Sequence, residues 1–152
     1  MDTTEKQEEA RALFYEGANC AQAVLGAFAD ECGLTREQAL LLGSSFGGGM
    51  GRLREVCGAV SGMFMVAGLK LGYADLHAKT KKDQHYALIQ KLAEEFKRCT
   101  GSNSIICREL LGLPHGPDSS VSDSRTPEYY RKRPCVELVV IAARIMEKQL
   151  AP

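Results

Sequence analysis

Tryptophan is absent from this chain of 152 residues, and phenylalanine and tyrosine supply only five residues each. So few aromatic rings weaken a reading as a base-stacking nucleic-acid binder. Neither charge sign is in excess: Lys and Arg total 19, as do Asp and Glu. The composition therefore gives no argument for nucleic acid or an anionic membrane as partner. Six cysteines occur without a C-x-x-C pair, which excludes a thioredoxin-type motif and a zinc ribbon. Long apolar runs are also missing. The longest, residues 56–69, is interrupted by Gly58, Ser61, Gly62 and Gly68 and falls short of the roughly 20 residues that a membrane span requires. The start, MDTTEKQEEA, is acidic and polar, unlike a secretory or mitochondrial targeting segment. A cytoplasmic location is expected, and the cysteine density is too low for a disulfide scaffold.

Alternating strand patterns are scarce as well, whereas helix signals recur. Thr4 with Gln7 offers a capping box for a first helix to about Glu16, ahead of Gly17. Asn19 is a good N-cap for a second, CAQAVLGAFADEC, ended by Gly33. Thr35 with Gln38 repeats the box for a third through Leu42. A fourth helix begins near Glu55 or Val56 and ends before Gly72. It is apolar on most faces and should be the central one, with Gly58 and Gly62 forming a small face for close approach. The fifth, about 75–98, is polar, with Ala78, Tyr86, Ile89, Leu92 and Phe96 available to the core. Ser104 is read as the cap of a short sixth helix, IICRELL. Residues 113–127 are a polar loop whose length predicts mobility or a functional flap. The last helix starts with Pro134 at its first position. The expectation is an all-α single domain over residues 1–152, with six or seven helices around the central glycine-containing apolar helix.

Laid on these helices, the cysteines divide into two groups. Cys20, Cys57, Cys107 and Cys135 fall at helix starts, while Cys32 and Cys99 fall at helix ends. A helix N-terminus carries about half a positive charge and unpaired N–H groups. A thiol there loses its proton more readily, and the thiolate is the form that attacks disulfides and binds metals. The first four are therefore the candidate site residues, expected to share one pocket and to be favoured as thiolates.

Before Cys57 stands the run Gly47-Gly48-Gly49-Met50-Gly51. It fits no nucleotide loop, because Arg52 and Arg54 occupy positions where G-x-G-x-x-G needs glycine, and no G-x-x-x-x-G-K-[ST] is present. Two readings stay open: a left-handed backbone whose N–H groups face a sulfur or anion, or a tight turn packed under a helix. His77, His85 and His115 lack metal-pair spacing and read as surface residues.

In GANCAQAVL around Cys20, FGGGMGRLREVCGAVSG around Cys57, ICRELLG around Cys107, and the isolated Cys135, the chain resembles the redox-active proteins named for the string C-GCAxxG-C-C. The string has glycine before its central cysteine and alanine after it, whereas here Val56 precedes Cys57 and Gly58-Ala59 follow. The resemblance implies a redox class, and an iron–sulfur cluster ligated by Cys20, Cys57, Cys107 and Cys135 in electron transfer. A redox partner protein would then be required; no nucleic acid or membrane partner is expected, and an oligomer is compatible. The alternatives are a metal-free dithiol–disulfide oxidoreductase with Cys57 as attacker, a structural four-cysteine zinc site, and a purely structural helical protein.

Overall fold

The computed structural model describes residues 4–152; the first three, part of the acidic start, lie outside them. Among the described residues the chain is all-α and has no strands, with eight helices, six of them at least seven residues long. They are α1 Glu5–Glu16, α2 Cys20–Ala27, α3 Arg36–Gly43, α4 Gly58–Leu71, α5 Lys79–Thr100, α6 Cys107–Leu111, α7 Pro127–Lys132 and α8 Cys135–Leu150. The segment Gly47–Met50 is a turn, because Gly48 and Gly49 have left-handed dihedrals (φ 64° and 68°). No described helix is long and apolar enough to cross a membrane.

The polar caps act as the sequence indicates. The Thr35 hydroxyl accepts from the Gln38 backbone N–H, and Gln38 accepts in turn from Thr35. Asn19 and Gln22 form the same reciprocal pair. Thr4 makes half of one. Its hydroxyl accepts from the Gln7 N–H, while the Gln7 side chain reaches across to Glu147 of α8. Each such cap is worth about 1 kcal/mol.

Helices α1, α2, α4 and α8 bury the core between them, through Phe14, Leu25, Val60, Met63, Val139 and Met146, all essentially inaccessible. The glycine face of α4 explains how close α2 comes. A Cβ at Gly62 would sit 2.9 Å from the Ala21 carbonyl oxygen and from Val24 Cβ, and one at Gly58 would lie 3.0 Å from Cys20 Cβ. Any larger residue would push the two helices apart. Close packing there draws the start of α4 against the start of α2.

Several boundaries differ from those read in the sequence. Helix α2 stops at Ala27, and residues 28–33 continue as turns with backbone bonds such as Leu34 N–H to Ala29 O. Cys32 therefore lies in a turn. Helix α5 starts at Lys79 and buries only Leu92 and Phe96; Tyr86 is half exposed and meets the edge of Tyr73. Ser104 does not cap α6. Its hydroxyl accepts from the Ile106 N–H and bonds Glu109, and the helix begins at Cys107. The extra helix α7 has ordinary start chemistry, with Thr126 accepting from Tyr129 N–H and Pro127 in the first turn. Pro134 precedes α8, whose first residue is Cys135.

Candidate functional site

Each of the four helix-start cysteines is positioned by a local device. Cys20 opens α2 immediately after its capping box. Asn19 also donates through Nδ2 to the carbonyls of Gly43 and Ser44 (3.3 Å each), and Gln22 donates to Leu40 O (2.9 Å), so the head of α2 is tied to the end of α3. Cys57 is the N-cap of α4, one residue ahead of its first turn. Cys57 and Cys107 are joined through an isolated antiparallel bridge between Val56 and Ile106. Cys57 N–H donates to Ile105 O (2.8 Å), and Cys107 N–H donates to Glu55 O (2.6 Å). That two-residue ladder sets the start of α6 beside the start of α4. Cys135 is delivered by Pro134 at the head of α8.

Cys20, Cys57, Cys107 and Cys135 all line one cavity of about 270 Å³. Cys57, Cys107 and Cys135 are buried and Cys20 is half-buried. Cys32 and Cys99 do not line it. Cys32 sits near Lys70 in the turn after α2, and Cys99 lines a separate groove with residues of α1, α5 and α8.

The glycine turn forms part of the same wall. Gly49 has φ +68°, and a Cβ there would lie 2.6 Å from Cys107 Cβ and 2.7 Å from the Glu55 nitrogen. Only glycine permits that approach. The turn continues in left-handed backbone at Met50, Arg52 and Arg54, which brings the two arginines round to the cavity. Within the turn the hydrogen bonds are internal, with Arg54 N–H to Gly48 O and Glu55 N–H to Gly49 O (2.9 Å). Packing under Cys107 is the role these contacts give the glycines.

Sequence reading missed the cationic lining. Arg52, Arg54, Arg125 and Arg133 all face the cavity. Arg54, only 5% exposed, donates through Nη1 to Cys107 Sγ (3.5 Å) and through Nη2 to Asp118 (3.1 Å). Arg52 donates to Ser119 O and pairs with Asp118 and Asp123, which draws the 113–126 loop against the cavity. Arg125 donates to Phe14 O and Ala18 O and stacks on the Phe14 ring, 4.2 Å from its centroid. The signal lies in the sequence, where Arg52 and Arg54 come within three residues of Gly51. Their left-handed backbone and burial were not readable there.

Electrostatics separate the four thiols and overturn the expectation that all are favoured as thiolates. Burial pushes the Cys57 thiol up to about 12, and the N–H groups of Ala59 and Val60 recover only part of that. That burial disfavours the Cys57 thiolate which the attacking role expected from the sequence requires. Burial also raises Cys107, against the opposing bond from Arg54. Cys20 is held well above its usual range, first by its Cys135 neighbour and then by burial. Cys135 alone falls, to about 7, because the Cys20 thiol supports its negative sulfur, with help from Arg133, Tyr129 and Arg125. Low-dielectric burial outweighs the helix dipole at Cys57 and Cys107, whereas at Cys20 the neighbouring Cys135 is the larger cause.

Among the described residues no group of three or more His, Cys, Asp or Glu side chains is placed to hold a metal ion. A zinc ion requires its four ligands within about 2.3 Å of one point, so this arrangement does not favour a single-ion site. An iron–sulfur cluster is a larger anion held by thiolates. Four thiols and four arginines line the cavity, and those thiols are the residues that could hold such a group. No curated protein matches the chain, and no solved structure matches it. Residues 18–149 match the family model described as "Putative redox-active protein (C_GCAxxG_C_C)", and the chain belongs to that family.

Proposed function

We propose that this is an electron-transfer protein in which Cys20, Cys57, Cys107 and Cys135 hold an iron–sulfur cluster. One observation carries the reading: four cysteines from four separate helix starts wall a single cavity that is also lined by arginines. When bound, such a cluster supplies reversible one-electron chemistry. The chain's own groups would bind it, exclude water from its buried side, and offset its negative charge through Arg54 and the long helices α2, α4 and α8. A partner protein would bring or remove the electron. Protein prepared without oxygen should be brown and contain iron and acid-labile sulfide. Cys57→Ala should abolish or strongly destabilise the cluster, whereas Cys32→Ala and Cys99→Ala should leave it intact. Colourless anaerobic protein that shows no cluster absorption after treatment with iron and sulfide would end this reading.

The neighbouring Cys20 and Cys135 support a second, metal-free reading. With Cys135 near 7 and Cys20 protonated beside it, Cys135 suits the attacking thiolate and Cys20 the resolving thiol. The thiolate would open a substrate disulfide to a mixed disulfide, and Cys20 would displace the second substrate thiol. Two protein thiols are then oxidised to one disulfide as the substrate takes up two electrons and two protons. In that case the anaerobic protein stays colourless, and thiol titration finds a reversible Cys20–Cys135 disulfide.

A further inference from the structure

Arg54 bears three costs at once. Its guanidinium is buried, its backbone is left-handed at φ 61°, and its Nε is buried without a hydrogen-bond partner. A buried N–H without an acceptor is unfavourable, and an L-residue in left-handed backbone is strained. Features of this kind concentrate where a site requires them. Asp118 does not fully offset the charge, since it is 40% exposed and shared with Arg52. The side chain lines the four-cysteine cavity, with Nη1 on Cys107 Sγ.

The other cavity arginines are already occupied. Arg52 uses Nε on Ser119 O and its two terminal nitrogens on Asp118 and Asp123. Arg125 gives both terminal nitrogens to the carbonyls of Phe14 and Ala18. Arg133 leans on Asp123. Arg54 alone among them combines near-complete burial, a sulfur contact and an uncommitted buried donor.

We infer that Arg54 is the charge-compensating residue of the four-cysteine centre, holding the Cys107 sulfur and giving its free Nε–H to the anionic group bound in the cavity, and that it thereby sets the centre's reduction potential. The inference rests on the cluster reading above. Reduction adds one negative charge to the centre and breaks no bond. A buried cation in contact with a ligand sulfur stabilises the reduced form and raises the potential. Lysine can keep the charge without the forked geometry, and glutamine keeps a donor without the charge.

The test is the reduction potential of anaerobic wild-type, Arg54→Lys and Arg54→Gln proteins, each loaded with iron and sulfide and titrated with dithionite. Wild type and both variants should take up equal iron. Arg54→Gln should shift to lower potential, and Arg54→Lys should recover most of the difference. Should Arg54→Gln not fold, Asp118→Asn takes its place; removing that carboxylate leaves Arg54's charge less offset and should raise the potential. A loaded Arg54→Gln at the wild-type potential overturns the inference and leaves the cluster reading standing. So does Arg54→Lys at the Gln variant's potential, or Asp118→Asn at or below wild type. Wild-type protein that takes up no cluster overturns both.

Discussion

Two regions of this molecule carry cysteine on a helix and treat it in opposite ways. At the cavity, α2, α4, α6 and α8 present their starts, and the sulfurs at those starts meet glycine backbone, one another and arginine. At the far end, α5 presents its last turn. Cys99 there lies beside Glu95 and Arg98, side chains that pair with each other on the surface. The first arrangement places helix N-termini and arginines, of which Arg54 is buried, around sulfur. The second places the carbonyl end of α5 and the Glu95 carboxylate near it. The groups that the fold gathers around the sulfur, more than the residue type, separate the four cavity cysteines from the partly buried Cys99.

The largest contrast should be chemical and lies within the cavity itself. At pH 7 a thiol titrating near 7 is about half ionised, whereas one near 12 is ionised in roughly one molecule in 10⁵. In reduced, metal-free protein, iodoacetamide followed by peptide mass spectrometry should label Cys135 well before Cys57, with a Cys135 rate that reaches half its maximum near pH 7 and falls below it. Stability follows with opposite signs. Cys135 has its folded value depressed from 9.0, so its contribution is full above pH 9 and is lost as pH falls through about 7. Cys57 stays neutral to about 12 while the unfolded thiol ionises near 9.0, so the fold loses stability as pH rises above 9. Equal labelling of the two would remove the distinction.

A smaller but structurally sharper test is Gly49→Ala. The new Cβ would meet Cys107 Cβ at 2.6 Å in a left-handed backbone. Dihedral strain and overpacking together should cost about 3 kcal/mol in urea unfolding, and Cys107 should move off the cavity wall. A variant as stable as wild type would show that the turn yields easily. The smallest effect is expected at Gly68→Ala, near the other end of α4, where a Cβ meets nothing within 4 Å. Helix propensity should there raise stability by about 0.5–1 kcal/mol. Two glycine-to-alanine changes with opposite signs would separate glycine kept for close approach from glycine merely tolerated in a helix.

The sequence by itself determined the all-α class and the starts of α1, α2 and α3, because those depend on local bonds. Thr35 with Gln38 and Asn19 with Gln22 satisfy backbone N–H groups within three residues of themselves. The same local reasoning selected Cys20, Cys57, Cys107 and Cys135 as a set, and it had the means to find α7 from Thr126 and Pro127. Where α2 ends was less legible, since the apolar pattern runs on past Ala27 into residues that fold as turns. Only the tertiary structure decided how the four thiols differ. Burial in low dielectric penalises a charged sulfur, and burial depends on which helices pack over it. The Cys20–Cys135 neighbourhood and the Arg54–Cys107 contact each join residues more than 50 positions apart, and no capping or periodicity rule reaches that far. The charge lining the cavity was likewise a tertiary outcome, because a left-handed glycine turn had to carry Arg54 inward before its guanidinium could meet a sulfur.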